Sequence, residues 1–263
     1  MPNYLDPMTK FITDISTSDA VLLIVNRTKP QHLVNILSKA FTDQSVAITE
    51  RHIPEGRDDL VCLIKQGHVV ATSSLQRLER AFLLVNSDRY KTRTTAVGIS
   101  QFPDVLTYLT GIEFSLTGYP KSDKEKLLLI IISRFIEHLA LSIGHGRLDA
   151  TFQKLSRLDD EYGTQTVYET LGDSNVETHV YGIRDEPSAV KDLDIHVHAD
   201  TTAELSRFWV LTFTPDSERP TADTDVTHAA LVAVETAPNV WRSTWTHDAT
   251  HVKEIQSYLK RQF

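Results

Sequence analysis

Short apolar runs and helical stripes alternate along this chain. Val21-Leu22-Leu23-Ile24-Val25 is a β-branched run of strand length and reads as a buried strand. Pro30 fits the first turn of a helix, with Leu33, Val34, Leu37 and Phe41 following at helical spacing. A strand is expected at about 45–50. Leu60 to Lys65, a Gln66-Gly67 turn and His68 to Thr72 then read as a β-hairpin. Ser73 or Ser74 caps the next helix, whose apolar stripe is Leu75, Leu78, Phe82 and Leu83. Residues 86–101 are polar and without period, which predicts a loop or linker. A short helix at 103–109 and an extended piece at 112–116 follow.

The second half opens on Ser122-Asp123-Lys124-Glu125, a capping box in which the serine accepts from the N3 amide and the glutamate reaches back. It predicts a long helix over about 122–143, stopped by Gly144-His145-Gly146. Leu148, Phe152, Leu155 and Leu158 predict a second helix ending near Asp159-Asp160. A short helix over 166–171 stops at Gly172, and five strands are expected at 177–183, 195–199, 207–214, 229–235 and 240–246. Residues 216–227 are rich in Asp, Thr and Pro and read as a loop. Asp248 caps a final helix with Val252, Ile255 and Leu259 on its buried face.

The pattern therefore predicts an α+β fold with mostly antiparallel sheets flanked by helices, a long central helix, and a C-terminal sheet closed by the terminal helix. Two parts are expected: an N-terminal α/β half over 1–100 and a second domain over 101–263. Hairpin, polar cap and helix recur at Leu60 to Phe82 and at Ala229 to Leu259. That echo suits a degenerate duplication, and equally the frequent recurrence of such units in α/β proteins.

Composition narrows the function. At 263 residues with 41% hydrophobic and 24% charged content, the chain has enough apolar side chains for a real core. Its net charge is −8 with pI ≈ 5.7 and it has no dense basic run, which argues against nucleic-acid and anionic-membrane partners. The most hydrophobic stretch, Leu127 to Ile132, is six residues against the ~20 that a membrane span needs. The N-terminus has no signal-peptide pattern, so a cytoplasmic chain is expected. Cys62, the single cysteine, lies in an apolar run and reads as a buried small residue. Asp outnumbers Glu by 21 to 14, a lean towards a salt-adapted source.

Catalytic motifs are missing: there is no Gly-x-Gly-x-x-Gly, Walker loop, Gly-x-Ser-x-Gly or His-Glu-x-x-His. Gly144-His145-Gly146-Arg147 sits where a helix ends and reads as a C-cap. His196 and His198 point to one face of their strand and could share a zinc or other divalent ion, with His179 on a neighbouring strand as third ligand. No Glu or Asp at a fixed offset completes a catalytic site, and eleven histidines make a chance pair unsurprising. Trp241 and Trp245 share strand parity, and Trp209 belongs to the same sheet. They form either a core or an aromatic wall for a flat ligand or chromophore. The candidate ligand zone is the concave face of the C-terminal sheet, near His179, Tyr181, Trp209, Trp241 and Trp245.

From Ser122 onward the chain resembles the DICT sensory domain of diguanylate cyclases and two-component signalling proteins. The resemblance lies in Ser133-Arg134-Phe135-Ile136-Glu137, Phe152-Gln153-Lys154-Leu155-Ser156-Arg157, Val167-Tyr168-Glu169-Thr170-Leu171, Val180-Tyr181-Gly182, Phe208-Trp209-Val210-Leu211 and the segment from Trp241 to Asp248. Over its whole length, including Asn86-Ser87-Asp88-Arg89-Tyr90 and Gly118-Tyr119-Pro120-Lys121-Ser122, the chain is similar to stand-alone haloarchaeal proteins of that type. The resemblance implies an α+β sensory input without catalytic residues, linked to light or environmental response. The cofactor is left unknown. A separate, unidentified signalling partner is implied, because no cyclase, kinase or transcription-factor module is attached. Two alternatives remain open. One is an interaction protein without ligand, dimerising through Leu128, Ile132, Phe135 and Leu139; the other is a metal-dependent enzyme using His196 and His198.

Overall fold

The computed structural model describes residues 7–16, 19–29, 34–35, 38, 41, 45–86, 102–117, 127–160, 162–186, 190–191, 193–200, 204–217 and 225–263. In chain order the elements are α1 (Pro7–Ile15), β1 (Ala20–Val25), β2 (Val46–Arg51), β3 (Leu60–Lys65), β4 (His68–Ser74), α2 (Leu75–Asn86), α3 (Asp104–Thr107) and β5 (Phe114–Thr117). They continue with α4 (Leu127–Ile143), β6 (His145–Lys154), α5 (Arg157–Asp160), α6 (Tyr162–Gly172), β7 (Asn175–Ile183), β8 (His196–Asp200), β9 (Phe208–Thr214), β10 (Ala229–Ala237), β11 (Val240–Thr246) and α7 (Ala249–Gln262). The expected capping box at Ser122, the loop over 87–101 and most of the loop over 216–227 lie outside the described residues. So does most of the helix from Pro30, of which Val34, Asn35 and Ser38 are helical.

The class is α+β, with two mixed sheets in which antiparallel pairings outnumber parallel ones. The smaller sheet has the order β2-β1-β3-β4 and the larger β5-β11-β10-β9-β6-β7-β8. Local chemistry sets the turns. Gln66 (φ 51°) and Gly67 (φ 80°) form the left-handed pair that a two-residue hairpin between β3 and β4 requires. Ser74 Oγ accepts the Arg77 N–H at 3.2 Å and caps α2, while Ser73 Oγ accepts the Val105 N–H of α3. Asp248 caps α7 by accepting from the Thr250 and His251 N–H groups.

Helices cover both faces of the larger sheet. On one side α1 and α7 lay Met8, Ile12, Val252, Ile255 and Leu259 over Phe208, Val210, Val232 and Val234. On the other, α4 crosses β6, β9 and β10 and is also packed against α2. Helix α4 is buried almost all round, as a helix apolar on every side must be. Each of its large aliphatic side chains contributes about 1.5–3 kcal/mol on burial. Leu128, Ile132, Phe135 and Leu139, the residues on which a dimer was expected, are 3%, 1%, 1% and 0% exposed within this core. No helix among the described residues is long and apolar enough to cross a membrane.

One expected element has the other secondary structure. Residues 145–154 form β6, a central strand, and not a helix. Arg147-Leu148-Asp149-Ala150-Thr151-Phe152 alternates polar and apolar with period two. Leu148 and Ala150 face α4, while Arg147 and Asp149 face α7. The spacing from Leu148 to Phe152 fits a helix as well as a strand, and pairing with β7 and β9 decides between them.

The echo between halves takes a specific form. β7-β6-β9-β10 repeats β2-β1-β3-β4 in order and direction, with a parallel outer pair followed by two antiparallel pairings. The correspondence therefore runs through β9-β10, not the β10-β11 hairpin that the sequence pattern pairs with Leu60 to Phe82. Each half also places an aspartate past the C-terminal end of its central strand. Asp59 accepts from the Thr28 N–H at 2.8 Å and Asp185 from the Ser156 N–H at 3.1 Å.

Gly144 (φ 76°) ends α4, its N–H donating to the Ala140 carbonyl at 2.8 Å, as the C-cap reading expects. Gly146 (φ 118°) is needed for a different reason. A Cβ there would lie 2.4 Å from the Thr214 carbonyl oxygen and 2.6 Å from Pro215 Cα, both backbone atoms. Gly146→Ala is expected to cost about 2 kcal/mol through backbone strain and overpacking. Urea denaturation checks this, and a loss under about 0.5 kcal/mol would mean that β6 and β9 separate easily at that end.

Candidate functional site

Two clusters of polar side chains are built into the larger sheet, one on each face. The first lies towards α7, where β6, β7 and β8 run parallel and send alternate residues to the same side: Arg147 and Asp149, then Glu177, His179 and Tyr181, then His196 and His198. Asp149 is wholly buried. It accepts from Arg147 Nε (2.9 Å) and Nη2 (2.7 Å), from the Tyr181 hydroxyl (2.8 Å) and from Gln256 Nε2 on α7 (2.8 Å). Four donors replace the water that the carboxylate gives up. Burial, and then the Asp149 charge, push the Tyr181 hydroxyl pKa far up, so it remains a donor. Burial works against the Arg147 charge, but the Asp149 hydrogen bonds and charge outweigh it and raise its pKa.

The histidines continue this network to the sheet edge. His179 places Nε2 at 2.7 Å from Glu177 Oε1 and Nδ1 at 2.8 Å from His198 Nε2. His196 stacks on His179 and His198 on Tyr181, each with centroids 4.5 Å apart, while the His179 and His198 rings lie nearly coplanar and edge to edge, 5.1 Å between centroids, across their hydrogen bond. Burial lowers the pKa of His179 against the opposing pull of Glu177. Burial and then the neighbouring His179 lower that of His198. Both imidazoles are therefore neutral around pH 7. The hydrogen bond from His179, ahead of the Arg147 charge, lowers the pKa of Glu177.

The second cluster lies towards α4. A cleft of about 80 Å³ opens between α4, α6 and the sheet, with Ser133, Arg134, Phe152, Thr164, Tyr168 and Trp209 among its walls. Arg134 and Glu137, 7% and 4% exposed, form a buried pair at 2.6 Å, and Arg134 Nη2 also donates to Thr164 Oγ1 at 2.8 Å. Burial raises the Glu137 pKa, opposed by Arg134, and Tyr168 beside it is raised by burial and by the Glu137 charge. The Trp209 indole N–H donates to Ser133 Oγ at 3.1 Å, linking the sheet to α4 across the cleft.

The expected single ligand zone is therefore split. His179 and Tyr181 face α7, whereas Trp209, Trp241 and Trp245 face the α4 side. Trp241 and Trp245 are 2% and 1% exposed and belong to the core, with the Trp245 indole N–H donating to the Leu109 carbonyl. Of the tryptophans, Trp209 is the one that lines the cleft. His196 and His198 share a face, as strand parity predicts, and the β7–β8 register brings His179 to the same face. Glu177, which the sequence pattern did not single out, joins them: it is two residues before His179, on the same face. Arg147, Asp149 and Gln256 join through tertiary contacts with no sequence signal. Glu177, His179 and His196 each offer a ligand atom, all within 4.8 Å of one another.

No family model matches the chain, and no curated protein matches it. Among solved structures, a polyphosphate kinase from Porphyromonas gingivalis is similar over 97% of this chain and 47% of its own, at 10% identity and a TM-score of 0.32. The chain thus spans about half the length of that kinase, and a likeness this low carries no argument about fold or activity.

Proposed function

We propose that the chain is a non-catalytic regulatory sensor of the DICT type, in which the cleft between α4 and the larger sheet receives a small planar ligand. The observation that supports this reading is the cleft itself. Its walls belong partly to α4, through Ser133 and Arg134, and partly to the sheet, through Phe152 and Trp209. A ligand held there touches both and biases how α4 sits, provided that it binds one packing better than the other. Cavities for drug-sized ligands run to about 300–1,000 Å³, so this one suits a few waters or a single ring. Aromatic walls favour a flat molecule, and the Arg134–Glu137 pair offers both a donor and an acceptor to its edge. The output passes to a signalling partner in the cytoplasm. A homodimer would have to use a surface other than the buried α4 face.

Calorimetric titration with benzoate, nicotinamide and uracil tests the cleft. At least one ring is expected to bind, with affinity falling tenfold or more in Trp209→Ala while the circular dichroism is unchanged. Binding by none of the three, or equal binding by the variant, would contradict the assignment.

A further inference from the structure

We infer that Glu177, His179 and His196 form a site for a divalent transition-metal ion at the β7–β8 edge of the larger sheet. The site is on the opposite face from the ligand cleft and independent of it. Three observations carry this. First, the ligand atoms already converge within 4.8 Å, and Glu177 Oε1 and His179 Nε2 are 2.7 Å apart. Ligands about 2.0–2.2 Å from a zinc ion lie about 3.3–3.6 Å from one another in a tetrahedron. Small adjustments reach that arrangement, because Glu177 and His196 are exposed and able to rotate, whereas His179 is buried and fixed. Second, His179 has the outer partner that a metal-bound imidazole needs. With Nε2 on the ion, its Nδ1–H donates to His198 Nε2 at 2.8 Å, which sets the tautomer and ring orientation. Third, β7 and β8 are parallel neighbours in register, with His179 opposite His196, so the rigid ladder supplies the alignment.

Charge neither drives nor forbids binding. Arg147 (3.1 Å from Glu177 Oε1) and, further out, Lys260 oppose a cation, and the carboxylates of Asp149 and Glu177 offset them. Selectivity then follows the donor set. Two imidazoles and one carboxylate suit Zn²⁺, Co²⁺, Ni²⁺ or Cu²⁺ and not the oxygen-seeking Mg²⁺ or Ca²⁺. A fourth position stays open to solvent.

The untagged full chain, stripped of metal and titrated with Zn²⁺ and with Co²⁺, tests this. One tight ion per chain is expected, with the intense visible bands of low-coordinate Co²⁺. Affinity should fall at least tenfold in Glu177→Gln and in His196→Ala, both surface changes that spare the core. His68→Ala, at the exposed start of β4, should bind as the wild type does. No stoichiometric binding, or binding unchanged in the Glu177→Gln/His196→Ala double variant, would overturn the site. The ring titration of the cleft is unaffected by either result.

Discussion

Replacing Asp149 with alanine is expected to destabilise the protein by about 3–5 kcal/mol. The buried carboxylate has Arg147, Tyr181 and Gln256 all donating to it, from two strands and a helix. Removing it leaves a guanidinium that is only 13% exposed without its main counter-ion, and a buried hydroxyl without its acceptor. Asp149→Asn keeps one acceptor oxygen and the shape, and should lose less than the alanine variant. Urea denaturation of both variants checks this. A loss below about 1 kcal/mol in Asp149→Ala would show that water replaces the carboxylate, and that the α7 face of the sheet is more open than its geometry implies.

Acid is expected to unfold this protein partly through His247. Its ring lies among Phe135 and Trp245, with centroids 5.9 and 4.9 Å away, and Nε2 has no hydrogen-bond partner among the described residues. Burial, and then the nearby Lys65 charge, push its pKa down to about 3. The folded pKa is thus below the unfolded value near 6.5, so the unfolded chain takes up the proton first as pH falls. The contribution is intact above pH 6.5 and is lost progressively towards pH 3, at about 1.4 kcal/mol per pH unit. His247→Leu removes the titration at similar volume. The gap in unfolding free energy between variant and wild type should therefore move by about 1–2 kcal/mol in the variant's favour between pH 7 and pH 5. Parallel profiles over that range would mean that the imidazole reaches water when protonated.

These two sites show what the sequence could and could not reveal. Turns and caps were legible because their chemistry is local: Gln66-Gly67, Gly144 and Asp248 each act on neighbours within a few residues. The strands around the histidines were legible by parity, which puts His196 and His198 together and Glu177, His179 and Tyr181 together. Parity in one strand, however, says nothing about another until the register is known. Tyr181 pairs with Thr151 and Ala150 with Leu211, which turns Tyr181 to the α7 face and Trp209 to the α4 face. A single aromatic zone read from the sequence therefore separates into two.

The misread of β6 has a related cause. Leu148, Phe152, Leu155 and Leu158 satisfy a helical period, while Arg147 to Phe152 alternates between polar and apolar. Its polar positions are not solvated, as an alternating strand usually implies. Asp149 and Thr151 are buried, 0% and 3% exposed, within networks that only the folded sheet assembles. The Arg134–Glu137 pair was equally quiet in sequence, since charges three residues apart on a helix ordinarily face water. Here the surrounding α4 is buried, which brings the pair into the cleft.

The sensor reading turns on whether the α4 cleft holds a ligand in the cell. Native mass spectrometry of the wild-type chain and of Trp209→Ala, each isolated from its own host under non-denaturing conditions, measures this. A small-molecule mass increment is expected on the wild type and not on the variant. A wild type without an increment, or an identical increment on both chains, would contradict that reading.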